Sequence, residues 1–173
     1  MNAAIAPEML LMNAIVLDVE IQRCIADGKS IEVNPKTGLP YESVKDWNAF
    51  SEMGIACVCV WDCLENMPYV FDESNLKDLK ALIDQRQLII GFNTLGFDNK
   101  VLAANGIEIP TWKSFDIFAE VLKVEGLAKS DGGRTVNDFA KANFGAVKSA
   151  HGSEAPKMFQ RGELATLYSY CLR

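Results

Sequence analysis

Two acidic residues interrupt an apolar segment near the N-terminus. Asp18 and Glu20 stand two positions apart in the segment Ala14–Glu20, whose β-branched residues are typical of a buried strand. Side chains at positions i and i+2 of a strand point to the same face, so the two carboxylates project together. Adjacent carboxylates repel each other, and a divalent cation such as Mg²⁺ would relieve that repulsion. The alternative is that this pair only marks a strand end that emerges into solvent.

A third carboxylate follows the apolar segment 88–92, which also predicts a buried strand. Asp98 lies in the first turn of a predicted helix, and Val101 and Leu102 share its face because they follow three and four positions later. Since those two apolar residues must face the core, we expect the Asp98 carboxylate to turn toward the sheet. The alternative is an acidic residue that interacts only with the helix N-terminal dipole.

These segments together resemble the DEDD 3′–5′ exonucleases of the RNase H-like superfamily. Asp18-x-Glu20 resembles their first motif, and Asn93-x-x-x-Phe97-Asp98 resembles the second, particularly as it occurs in the exonuclease domains of family B polymerases. Tyr170 resembles the tyrosine of the Tyr-x-x-x-Asp motif that defines the tyrosine branch. The resemblance spans residues 14–173. It departs from the family at Ile21, where relatives often carry Thr or Ser, and at the last aspartate, which would stand one position beyond the sequence.

The resemblance implies hydrolysis of nucleic-acid phosphodiester bonds from a 3′ end, with a single strand or another 3′-ended nucleic acid as the partner. Two Mg²⁺ or Mn²⁺ ions would activate water and stabilise the leaving oxygen. Tyr170 would orient the water and is not expected to be its base, because a free phenol has a pKa near 10. The implied metal ligands are Asp18, Glu20 and Asp98, and the implied pocket residues for the terminal nucleotide are Asn93 and Phe97.

Other readings stay open beside this one. The chain is expected to be truncated at its C-terminus, and the 173-residue form to have little nuclease activity without the last aspartate. A catalytically inactive RNase H-like module that binds nucleic acid or protein is the main alternative, and an endonuclease of this fold is another. The histidine branch is disfavoured, because Ser169 stands where it needs His, and His151 is interpreted as an exposed loop residue.

The secondary-structure elements that must position these residues follow the order βββαβαβα along the chain, with more helix after it. This order predicts an α/β fold of the RNase H-like type, with a mixed sheet of about five strands flanked by helices, in one domain over residues 1–173. Residues 24–47 predict an irregular excursion, because residues 34–40 within them are rich in turn formers. The predicted strands are 14–20, 54–61, 68–71, 88–92 and 114–117. The first predicted helix is capped by Asp72 or Ser74 and runs to about Gln85, and the others are 97–105, 117–127, 135–143 and 163–173.

Composition limits the class of protein. The net charge of −6 disfavours binding of nucleic acid by bulk charge alone, although it allows an enzyme that grips a strand end through bound cations. Five cysteines without a recognisable secretion signal favour a reducing, cytoplasmic location. No run of 18 apolar residues exists, so no membrane association is expected.

Several weaker signals favour ordinary structural roles. Cys57, Cys59 and Cys63 are expected to line one face of a strand, and zinc is disfavoured because no second pair or nearby histidine completes a site. Lys157 is expected to reach a phosphate, with a surface lysine as the alternative. The tryptophans Trp47, Trp61 and Trp112 are interpreted as core or rim residues rather than base-stacking platforms. The basic residues Lys129, Arg134, Lys141 and Lys148 suggest a strand-binding patch or, preferably, a solvated helical face.

Overall fold

The structure, a computed structural model, describes residues 12–26, 28, 32–128, 135–145 and 152–172. Within them, five strands form one sheet in the order β5-β4-β1-β6-β7, and two-residue strands β2 and β3 form a small parallel pair. The strands are β1 Ala14–Ile21, β2 Cys24–Ile25, β3 Ser43–Val44, β4 Ile55–Asp62, β5 Met67–Phe71, β6 Leu88–Gly91 and β7 Ser114–Asp116.

The main sheet is mixed. β1 pairs antiparallel with β4, and β4 antiparallel with β5, because a short turn at 63–66 joins the last two. β1 pairs in parallel with β6, and β6 with β7, so helical crossovers are needed between these strands. The helices among the described residues are α1 Phe50–Met53, α2 Leu76–Gln85, α3 Asp98–Ala104, α4 Ile117–Glu125, α5 Val136–Phe144, α6 Ala155–Gln160 and α7 Leu164–Cys171.

Alternation along β1 separates the two faces of the sheet. Ile15, Leu17 and Val19 pack in the larger core with α2 and α3, whose Leu79 and Leu102 are fully buried. Residues 16, 18 and 20 must therefore point to the opposite face. That face carries a second, smaller cluster of buried residues, which comprises Ala56, Cys57, Cys59, Ala155 and Leu167.

The predicted α/β architecture, with a five-stranded mixed sheet flanked by helices, is confirmed. The five predicted strands agree with the structure to within one or two residues. Capping of α2 by Asp72 or Ser74 is wrong: α2 begins after Asn75, and the Asp72 carboxylate accepts hydrogen bonds from Ser74 outside the helix. The helices α1 and α6 were not predicted, because each is too short for its apolar residues to show the helical repeat.

No helix in the described part of the chain is long and apolar enough to cross a membrane.

Candidate functional site

The register between β1 and β4 builds one side of the site. Asp18 pairs with Cys59, and Glu20 pairs with Cys57, so four side chains with donor atoms lie on one face of two adjacent strands. Directly opposed residues in an antiparallel pair have Cβ atoms about 4.5–5.5 Å apart. Asp18 is exposed and Glu20 is buried, so the pair spans the boundary between solvent and interior. A cation at this place could be reached from solvent through Asp18.

Asp98 approaches β1 from the edge on which β6 pairs, opposite the edge that pairs with β4. β6 pairs with β1 only along Ala14–Val16, so the backbone of β1 continues beyond the end of its parallel neighbour. The Asp98 carboxylate accepts a hydrogen bond of 2.9 Å from the backbone N–H of Val19, which lies between Asp18 and Glu20. Val101 and Leu102 of the same helix are fully buried, and this orientation of α3 turns Asp98 inward.

The pKa of Asp98 reflects its burial and the nearby charge of Asp18. The side chain is 5% exposed, and burial followed by the charge of Asp18 raises the pKa of Asp98 to about 7. The hydrogen bond from Val19 favours the charged form, and the nearby Asp116 disfavours it. Two acidic side chains, Asp98 and Asp18, therefore act on each other near the middle of β1, where a divalent cation bound by carboxylate oxygens would lower the energy.

Tyr170 comes to this face on α7, which packs on β4 and β1. Its hydroxyl oxygen is buried and has no hydrogen-bond partner among the described residues. Burial, followed by the charges of Glu20 and Asp18, raises the pKa of Tyr170 above its ordinary value. The phenol therefore keeps its proton at neutral pH and can donate a hydrogen bond, for example to a water molecule.

The loop between β6 and α3 has an unusual backbone. Asn93 has φ of +60°, a left-handed conformation that asparagine tolerates better than most residues. At Gly91 a side chain is excluded, because a Cβ would come within 2.9 Å of the Leu17 carbonyl oxygen and collide with Thr94. These two positions turn the chain sharply from the sheet into α3, and the turn delivers Asp98 to β1.

The buried carboxylate of Asp116 holds this loop. It accepts hydrogen bonds from the backbone N–H groups of Asn93 at 2.8 Å and Leu95 at 3.0 Å, and it caps α4 by accepting from Phe118 and Ala119. Sequence reasoning missed this role of Asp116. An aspartate directly before a helix could have suggested the cap, but the contacts with the loop depend on the pairing of β6 with β7.

Phe97 belongs to a group of aromatic rings beside α3. Its ring lies edge-on to Trp47 at 5.7 Å and to Phe50 at 6.2 Å between centroids. The Lys100 ammonium lies 5.3 Å from the centre of the Phe50 ring. Trp47 is 64% exposed, and all three tryptophans lie at the surface. Their interpretation as rim residues therefore agrees with the structure, and their interpretation as core residues is wrong.

The remaining candidates have other neighbours. Lys157 lies in α6, and its ammonium pairs with Glu32 at 2.5 Å and with Glu154 at 3.0 Å, so its contact with a phosphate stays a prediction. Lys141 is an exposed residue of α5, whereas the other three basic residues of the suggested patch lie outside the described residues, as does His151. Those three are Lys129, Arg134 and Lys148.

A cysteine that the sequence did not single out joins the carboxylates. The Sγ atom of Cys171 and the carboxylate oxygens of Asp18 and Glu20 lie within 4.8 Å of one another. Cys171 also lies over Cys57 and Cys59, whereas Cys63 follows the end of β4 and is not part of this group. Cys63 therefore lies in the turn after β4 and not on the strand where it was expected.

Neither a family model nor a curated protein matches the sequence. The structure is similar to that of the family B DNA polymerase from the hyperthermophilic archaeon Pyrobaculum calidifontis, with a TM-score of 0.57 and 12% sequence identity over 92% of this chain. The fold is RNase H-like. The chain spans about a quarter of the polymerase, since the match covers 23% of that protein, and the likeness is one of fold.

Proposed function

We propose that this chain is a 3′–5′ exonuclease domain that hydrolyses nucleic-acid phosphodiester bonds with the help of two Mg²⁺ or Mn²⁺ ions. The observation that carries the proposal is the hydrogen bond from the Val19 N–H to the Asp98 carboxylate, because it brings a third carboxylate to the strand segment that bears Asp18 and Glu20. Similarity of fold to a DNA polymerase supports a role related to nucleic acid.

The donor set fits a hard divalent cation. Asp18, Glu20 and Asp98 offer carboxylate oxygens, which Mg²⁺ and Mn²⁺ prefer over sulphur. Burial and then the charge of Asp18 raise the pKa of Asp98, and a cation bound between these two carboxylates would favour the charged form of Asp98. When bound, two such ions supply an activated water and stabilise charge on the leaving oxygen. The resemblance to the tyrosine branch calls for a fourth carboxylate four positions after Tyr170.

The protein's own side chains would then position the reactants. Tyr170, which stays protonated, donates a hydrogen bond from its hydroxyl and orients the attacking water. Asn93 and Phe97 lie in the loop that leads to Asp98, where they shape the pocket for the terminal nucleotide. Asp116 holds that loop and so keeps Asn93 in place before substrate binds.

The test uses a linear strand labelled at its 5′ end and a covalently closed circular strand, each as DNA and as RNA, with Mg²⁺ or Mn²⁺. We expect the chain, extended by an aspartate directly after Arg173, to shorten the linear strand from its 3′ end and to leave the circle intact. The 173-residue chain should be much less active. Asp98→Asn in the extended chain should lose more than about 100-fold in rate, because even changes around a metal ligand cost 10- to 100-fold.

Asp78→Asn is the matched control, since Asp78 is an exposed residue of α2 on the surface. It should retain the parental rate. A folded, extended chain that binds single strands but cleaves none of them would support the non-catalytic module. Cleavage of the circle would support an endonuclease.

A further inference from the structure

Three thiols from two distant parts of the chain meet beneath α7. Cys57 and Cys59 alternate with Val58 on β4, so they share the face of the sheet that α7 covers. Cys171 approaches them from α7, and the three Sγ atoms lie within 4.8 Å of one another. All three are free thiols, and Cys57 and Cys59 are buried.

The simplest account of buried cysteines is apolar packing, because a thiol behaves as a small hydrophobic group. Packing does not require three sulphur atoms to converge. A tetrahedral site with Zn–S bonds of about 2.3 Å holds its sulphurs about 3.8 Å apart. The three thiols therefore need to close by no more than about 1 Å to reach that geometry.

A fourth ligand is close to the same sulphur. The Cys171 Sγ atom also lies within 4.8 Å of carboxylate oxygens of Asp18 and Glu20. Since Asp18 is paired with Cys59 and Glu20 with Cys57, each carboxylate stands beside a thiol on the neighbouring strand. Three sulphurs and one carboxylate oxygen make a four-ligand set of the kind that structural zinc sites use.

We propose that Cys57, Cys59 and Cys171 form a binding site for a thiophilic divalent cation of the zinc type, completed by a carboxylate of the Asp18–Glu20 pair. The site is distinct in chemistry from the carboxylate centre, because soft sulphur ligands select zinc, cadmium or cobalt over magnesium. Binding breaks three S–H bonds and forms three metal–sulphur bonds, and the three protons pass to the buffer.

In the metal-free protein, the Cys171 thiol is harder to deprotonate than a free thiol. A hydrogen bond with Cys57, burial and the charge of Asp18 together hold the pKa of the Cys171 thiol above its usual range. Affinity should rise with pH, because each thiol loses its proton when it binds the cation.

The proposal also links the two centres. Occupation of the thiol site would engage a carboxylate of the acid pair and hold α7, which carries Tyr170, against β4. This consequence rests on the proposed exonuclease function, whereas the binding site itself does not.

The first experiment titrates the reduced, metal-free chain with Co²⁺ and with Cd²⁺ and follows the thiolate-to-metal charge-transfer absorption. We expect this absorption to saturate at one thiolate-bound ion per chain, with an intensity that corresponds to three thiolates and with release of three protons for that ion. A spectrum without thiolate absorption would overturn the proposal, and this measurement needs no variant and no nuclease assay.

The second experiment compares variants in the same titration. Cys171→Ser and Cys59→Ser should each lose more than about 100-fold in Cd²⁺ affinity, since changes outside the ligand set already cost 10- to 100-fold. Cys63→Ser is the matched control and should keep the parental affinity, because Cys63 is partly buried but lies outside the cluster. Parental affinity in Cys171→Ser would overturn the proposal. If a serine variant does not fold, the spectrum of the parent decides.

Discussion

The Asp98 carboxylate accepts a hydrogen bond from the backbone N–H of Val19, although 79 positions separate the two residues. The contact exists because β1 continues past the point where its parallel neighbour β6 ends. The helix that follows β6 places the Asp98 side chain beside this unpaired edge of β1. Asp18 and Glu20 flank Val19 along the strand, so this bond brings the Asp98 carboxylate to the segment that carries the acid pair.

Replacement of Asp18 by alanine should abolish hydrolysis and leave the fold intact. Asp18 is the exposed member of the carboxylate group, so its loss removes a metal ligand without opening a cavity in the core. The assay is metal-dependent release of nucleotides by the chain that includes the position after Arg173, with circular dichroism as the check on folding. Equal turnover by the variant and the parent would exclude Asp18 as a ligand.

Tyr170→Phe should lower the hydrolysis rate by about 100-fold while the affinity for Mn²⁺ stays the same, since a misplaced attacking water can cost that much. Its melting temperature should stay the same or rise, because the variant removes a buried hydroxyl that has no partner among the described residues.

Tyr168→Phe is the control for Tyr170→Phe. The Tyr168 hydroxyl donates to Asp72 at 3.0 Å, so its removal should lower the melting temperature and leave the rate unchanged. If both phenylalanine variants lose the same fraction of the rate, the Tyr170 hydroxyl has no special role.

The stability of the metal-free protein should fall as pH rises from about 4 to about 7. Burial and the charge of Asp18 raise the pKa of Asp98 from 3.8 to about 7, so the native state binds more protons than the unfolded state in this interval. The free energy of unfolding then decreases with increasing pH. Urea denaturation in EDTA at pH 5 and pH 8 measures the change.

Asp98→Asn should weaken this pH dependence, and the variant should be more stable than the parent at pH 8 without metal. Asp78→Asn, on the exposed surface of α2, should keep the parental slope. An undiminished slope in Asp98→Asn would show that Asp98 does not titrate in this range.

Asp116→Ala should destabilise the protein by about 2–4 kcal/mol, which combines the loss of a helix cap with backbone N–H groups left unpaired in the loop. The loss should be smaller in Asp116→Asn, because an amide oxygen can still accept part of these hydrogen bonds. Urea denaturation measures both variants. Stability within about 0.5 kcal/mol of the parent for Asp116→Ala would contradict the role of Asp116 in holding the Asn93 loop.

The sequence by itself determined the local geometry of the site. A strand has a side-chain period of two, so Asp18 and Glu20 had to share a face. A helix places positions i, i+3 and i+4 together, so burial of Val101 and Leu102 had to turn Asp98 inward. The order of strands and helices was sufficient to predict a mixed sheet, because hairpins and crossovers are local connections.

The tertiary structure decided which distant residues became neighbours. The register that pairs Asp18 with Cys59 depends on a whole strand interface, and no short window of sequence specifies it. For the same reason Asp116 could not be connected with Asn93, nor Cys171 with the thiols of β4, before the sheet was assembled. The sequence alone suggested that Lys157 contacts a phosphate, whereas in the folded protein its ammonium group pairs with Glu32 and Glu154. Local periodicity sets the direction of a side chain, whereas contacts across the sheet depend on the register and packing of the complete fold.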